Sequence, residues 1–157
     1  MKQTTLFLKA AIGLLAAMVA FFDFMLAMGL NNSAENTTLY GEKILCGAAL
    51  YITSFLIFFG LYQIYRLLKL IDKDLAFSND SLKIVRKIKN TILVIFPILL
   101  GILPMAYRIA DGEDAPGIMV IGLGITMIPL VAGAFAATIE KLLRNAISIK
   151  NENDLTV

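Results

Sequence analysis

The sequence predicts an all-α integral membrane protein with four transmembrane helices and both termini in the cytoplasm. Three observations carry this. The 157-residue chain is 59% hydrophobic and 17% charged, with a mean hydropathy of +0.79, whereas a soluble domain is about 45–50% apolar and about 25% charged. Its apolar residues fall into four runs of about 20, each able to cross about 30 Å of hydrocarbon at about 1.5 Å per residue. Its basic residues are segregated along the chain, and seven of the 14 lie between Arg66 and Asn90.

The first span covers about residues 8–30. Lys2 and Lys9 precede it, and only Asp23 interrupts the run from Ala10 to Leu30. A secretory signal has a shorter apolar core and a small-residue cleavage site, so this run reads as a retained helix. Asn31 to Lys43 is a polar loop. Its Asn31-Asn32-Ser33 and Asn36-Thr37-Thr38 triplets match the glycosylation pattern but read as solvated loop. The second span covers about residues 44–66. Thr53 and Ser54 are tolerable inside it because hydroxyls can bond back to helix carbonyls.

A basic loop at about residues 67–90 follows. Arg66, Lys69 and Lys73 share a helical face at headgroup level. Leu75-Ala76-Phe77-Ser78 reads as a break, with Ser78 as the N-cap of a new helix and Asp80 in its first turn. Leu82, Val85, Ile88 and Ile92 recur at helical spacing, with Lys83, Arg86, Lys87 and Lys89 between them. These four cations are the expected contacts for anionic lipid headgroups or a partner.

The third span covers about residues 91–110 and carries Pro97 and Pro104, each of which removes a helix hydrogen bond. Asp111 to Gly117 is an acidic turn. The fourth span covers about residues 117–139, and a polar tail covers residues 140–157. Gly133 with Ala137, and Gly13 with Ala17, have the four-residue spacing that lets membrane helices approach closely. The whole chain thus reads as one four-helix domain, residues 1–157.

Basic residues set the orientation. The N-terminal segment, central loop and tail hold 12 of them, and the other two loops hold only Lys43 and Arg108. The basic side stays in the cytoplasm. The net charge of +2 is small and concentrated in one loop, so no direct nucleic-acid contact is expected. With no His and one Cys, a His-based triad, a zinc site and an internal disulfide are excluded. Cys46 reads as a small buried hydrophobe. No nucleophile–base pair, paired-carboxylate site or phosphate loop is evident, so neither catalytic residues, a cofactor nor a metal is expected.

Asp23 is the clear intramembrane ionisable residue. A carboxylate there costs about 2.5–3.5 kcal/mol on insertion scales. Two readings follow: a proton or cation site, or a structural charge pair with Arg108, which lies at a similar depth once its side chain snorkels. The structural pair is the expectation.

Two motifs carry a family resemblance. Phe77-Ser78-Asn79-Asp80-Ser81-Leu82 precedes the basic helix, and Glu152-Asn153-Asp154-Leu155-Thr156-Val157 ends the chain. In these motifs, length and four spans, the chain resembles the bacterial four-helix membrane family catalogued as domain of unknown function 2975. Asp80 and Ser81 stand where that family has Glu and Asn. The resemblance implies a multi-pass protein of the bacterial cytoplasmic membrane with no activity to carry over. It also implies a partner, because members often sit beside a small helix-turn-helix regulator.

The leading reading is therefore a non-enzymatic membrane sensor or partner for such a regulator. A small proton-coupled transporter using Asp23, and an immunity protein against a membrane-active peptide, are the alternatives. A homo-oligomer is a further expectation.

Overall fold

The computed structural model of the protein describes residues 2–32 and 40–154. They form five α-helices: α1 Lys2–Asn32, α2 Tyr40–Ile71, α3 Asn79–Leu99, α4 Leu103–Gly112 and α5 Gly117–Asp154. A 3₁₀ turn, Leu100–Ile102, joins α3 to α4. By length and composition there are four candidate membrane spans, with α3, the turn and α4 together making the third.

The helices outrun the apolar runs. The segment read as a basic loop is helical except for the short connection between Ile71 and Asn79, and the tail is helical through Asp154. Hydropathy falls where lipid ends, but the polar residues that follow are still good helix formers. The third span is divided instead. Pro104 has no N–H to offer the Leu100 carbonyl, which accepts from Leu103 N–H in the tighter 3₁₀ pattern. Pro97 lies inside α3, one turn before the change.

Two helices end in the same way. Asp74 follows α2 at φ 58° and Asp114 follows α4 at φ 52°. Leu75 N–H reaches back to Leu70 O at 2.9 Å, and Ala115 N–H to Ala110 O at 2.9 Å. Both are Schellman ends with a short polar residue in the left-handed position.

Seams with a repeat of three and four residues set the packing. On α1 the less exposed positions are Thr5, Lys9, Ala11, Ile12, Ala16, Val19, Asp23 and Leu26. On α5 the buried positions are Gly122, Thr126, Pro129, Gly133, Ala136, Glu140 and Ile147. A period near 3.5 keeps one face against a neighbour crossing at a shallow angle. The neighbour of α5 is chiefly α3, that of α3 is also α2, and α1 packs along α2. Among the described residues α1 has no other extensive neighbour, so the helices form an open row, with α4 against α5 and α2.

Small residues allow the close approaches. A Cβ at Gly101 would stand 3.0 Å from the Ala49 Cβ, and one at Gly133 would stand 3.0 Å from Leu93 Cγ. Gly133 thus lies at an interface, but its expected companion Ala137 is exposed, as are Gly13 and Ala17. Ala136, one residue earlier, holds the seam position.

Candidate functional site

The start of α3 is built locally. Ser78 is its N-cap, and the Ser78 Oγ accepts from Ser81 N–H at 3.2 Å. Ser81 is fully buried and its Oγ donates to Leu75 O at 2.7 Å. The hydroxyls thus tie the connection to the helix that follows it. Asp80 is exposed and pairs with Lys83 at 3.3 Å. Phe77 is exposed.

One turn further along α3 the chain gathers charge around Glu140 of α5. This carboxylate is only 4% exposed. Its Oε1 accepts from Arg86 Nε at 3.1 Å and from Arg144 Nη2 at 2.7 Å. Its Oε2 is 2.7 Å from Lys89 Nζ. The hydrogen bonds from Lys89 and then Arg86 outweigh burial and hold the carboxyl down at about 2. Glu140 lies beyond the first 20 or so residues of α5 that suffice to cross the hydrocarbon. A charged cluster at that level needs no buried chamber to be stable.

Beside this node is a cleft of about 580 Å³ between the end of α2 and the start of α3. Arg66, Lys69 and Lys73 line one wall and Lys83, Arg86 and Lys87 the other, with Asp80 the single carboxylate. Lys69 Nζ also lies 4.8 Å from the Tyr65 ring centroid. Arg66, Lys73 and Lys87 have no ion-pair partner among the described residues. Of the four cations expected to meet headgroups or a partner, Arg86 and Lys89 are engaged by Glu140, Lys83 is paired with Asp80, and Lys87 is free among the described residues. At the same end Lys9 of α1 pairs with Asp72, which ties α1 to the connection after α2.

A second feature of this end is an uncovered apolar stripe on α5. Phe135, Ile139, Leu142 and Ile149 are all exposed. With the half-buried Ala146 they repeat at three and four residues, on a face turned well away from the seam that packs on α3. Leu142, Ala146 and Ile149 lie past the length needed to cross the membrane.

The intramembrane acid differs from expectation. Arg108 does not pair with Asp23; its Nε is 3.2 Å from Glu42 Oε1. Asp23 faces α2 from the α1 seam, and its Oδ1 is buried with no hydrogen-bond partner among the described residues. Similar depth did not bring the pair together, because α1 packs along α2 and Glu42 supplies α4 with a nearer acid. The same end of the molecule holds a cavity of about 410 Å³ lined by Phe22, Met25, Gly29, Lys43, Cys46 and Met105, among others. Thr91, Thr126 and Thr138 bond back to helix carbonyls, but the buried Thr53 Oγ1 has no partner among the described residues, nor has Gln63 Oε1. Among the described residues no three acidic or Cys side chains converge to hold a metal ion.

The C-terminal motif is partly described. Glu152 is exposed, and the backbone stays helical through Asn153 and Asp154. Leu155 and Thr156 lie outside the described residues, as do the loop residues 33–39 with Asn36, Thr37 and Thr38.

Comparison with known proteins agrees with this architecture. The model of the family described as "Protein of unknown function (DUF2975)" matches residues 28–157. The chain belongs to this family. It is also 40% identical over 158 residues to the "Uncharacterized membrane protein YoaS" of Bacillus subtilis (strain 168), with 99% of each chain covered. No solved structure matches the chain. Within the DUF2975 family, then, this is a membrane protein with four long apolar helical spans. The family match begins near the end of α1, and the helices it covers in full, α2 to α5, are the ones that hold the Glu140 node and the basic cleft.

Proposed function

We propose that this chain is a non-enzymatic protein of the bacterial cytoplasmic membrane that docks a small helix-turn-helix regulator on its cytoplasmic end. The observation that carries the reading is the apolar stripe of Leu142, Ala146 and Ile149. On the membrane-spanning part of α5 an exposed apolar face meets lipid. Beyond it the same face meets water, and burying each Leu or Ile against a partner is worth about 1.5–3 kcal/mol. A stripe at this spacing suits a groove or helix on a helical partner. The basic-residue bias supports placing this end in the cytoplasm, and the family resemblance supports the regulator as occupant.

The test uses the full chain in lipid nanodiscs and a small helix-turn-helix regulator of the kind that the family resemblance implies as its partner. Leu142→Glu combined with Ile149→Glu weakens binding at least tenfold and leaves thermal unfolding unchanged. Equal binding by both proteins defeats the reading. So does a crosslinker at position 142 that captures only a second copy of the chain, which assigns the stripe to self-association.

A second reading is favoured by one observation, the buried Oδ1 of Asp23, which has no partner among the described residues. It fits a small proton-coupled transporter. Under the docking reading, Asp23→Asn and Asp23→Leu both fold, because Arg108 has Glu42, and Leu raises stability by removing an unsatisfied group worth about 1–3 kcal/mol. Under the transport reading both variants fold and both abolish proton-coupled flux in proteoliposomes. A flux that Asp23→Asn eliminates decides for transport.

A further inference from the structure

The cleft between α2 and α3 carries more than the general attraction of a basic surface to a membrane. Six cations from two helices and the connection between them face one space, and the single acid there, Asp80, is already paired with Lys83. Its volume of about 580 Å³ lies within the range of about 300–1,000 Å³ that small-molecule sites occupy. The walls are held apart by independent devices. Ser78 and Ser81 fix the connection between the two helices. Glu140 holds Arg86 from behind through its Nε, and the Arg86 side chain is still about half exposed. Lys87, Lys73 and Arg66 have no ion pair among the described residues to give up.

The depth of the cleft identifies its ligand. Of its lining residues Arg66 and Asn90 are the nearest along the chain to the apolar runs of α2 and α3, which begin immediately beyond, at Tyr65 and at Thr91. Leu70 and Ile84 supply apolar patches in the walls. A phosphate resting among the cations at this level has hydrocarbon directly beneath it. Positively charged clefts between membrane helices at this level suit acidic headgroups. We propose that the cleft is a binding site for the headgroup of an anionic phospholipid, with Arg66 and Lys69 of α2, Lys73 of the connection that follows it, and Lys83 and Lys87 of α3 around its phosphate. Lys89 is not part of this site, because it is turned to Glu140. The site differs from the docking stripe on α5 and does not depend on which regulator binds there.

The test measures binding of a short-chain anionic phosphatidylglycerol and of its zwitterionic phosphatidylcholine counterpart to the full chain in detergent, at low and high salt. The protein prefers the anionic lipid at least tenfold at low salt, and the preference shrinks as salt rises. Arg66→Gln, Lys69→Gln and Lys73→Gln together weaken anionic-lipid binding by on the order of 100-fold, from about fivefold per charge. Lys83→Gln with Lys87→Gln, on the other wall, weakens it by roughly 25-fold, so the outcome does not rest on one variant's folding. Lys141→Gln with Lys150→Gln, which removes as many charges outside the cleft, leaves binding unchanged. Equal affinity for both lipids overturns the proposal, as does an equal loss in the control variant. Glycerol phosphate, the headgroup without its chains, binds at least tenfold more weakly than the lipid; if it binds as tightly, the site takes a soluble phosphate ester and the lipid assignment fails. Both helix walls are present whichever way the protein is oriented, so failure here leaves the regulator reading standing, and the converse also holds.

Discussion

At Glu140 one carboxylate answers three cations from two helices. Two of those cations, Arg86 and Lys89, come from α3, and the third, Arg144, is one turn along α5. The side chain is buried and the cations stay partly in water, so its loss lets them relax toward solvent. Glu140→Gln is expected to cost about 1–2 kcal/mol, the scale of hydrogen bonds to charged groups reduced by that relaxation. The measurement is thermal unfolding in detergent, and Glu140→Asp should recover little because its shorter arm cannot span both helices. The pH dependence has a definite sign. The folded state holds this carboxyl at about 2, below its ordinary value of 4.5. The node therefore contributes fully above about pH 4.5, and the contribution is lost as pH falls toward 2. In Glu140→Gln that acid-side loss is absent.

At the level of the helices, apolar length announced four spans, and Ser78 with Asp80 announced the start of α3. The extents of α2 and α5 were not legible, because hydropathy reports where lipid ends and not where backbone hydrogen bonding stops. The Glu140 node was not legible either, since Arg86 lies 54 residues away and only helix register brings the two together. One signal was present: Glu140 continues the series Gly122, Thr126, Pro129, Gly133 and Ala136, an acid on a seam of small residues. The pairing of Asp23 with Arg108 failed because hydropathy gives depth and no direction around the helix axis. The same helix yields a paired prediction, one glycine off the seam and one on it. Gly124 has nothing within 4 Å of an added Cβ, so Gly124→Ala should stabilise by up to about 1 kcal/mol through helix propensity. Gly133 meets the Leu93 side chain, so Gly133→Val should cost about 1–3 kcal/mol as an overpacked contact. Melting curves of the two variants should move in opposite directions.

For the molecule as a whole, the charge arrangement makes a topological prediction. Reporter fusions at Ser78 and Val157 should give cytoplasmic signals, and those at Asn36 and Asp114 signals from the other side; a signal from the far side at Ser78 refutes the orientation. The node also has a mechanical consequence. For α5 to slide along its axis toward the acidic end, Glu140 and Arg144 would have to enter hydrocarbon and draw Arg86 and Lys89 with them. On insertion scales each of these charges costs about 2.5–3.5 kcal/mol at mid-membrane. Glu140 therefore acts as a depth stop: it fixes how far α3 and α5 sink together, so a partner gripping the end of α5 can tilt or rotate that helix more readily than it can push it through the membrane.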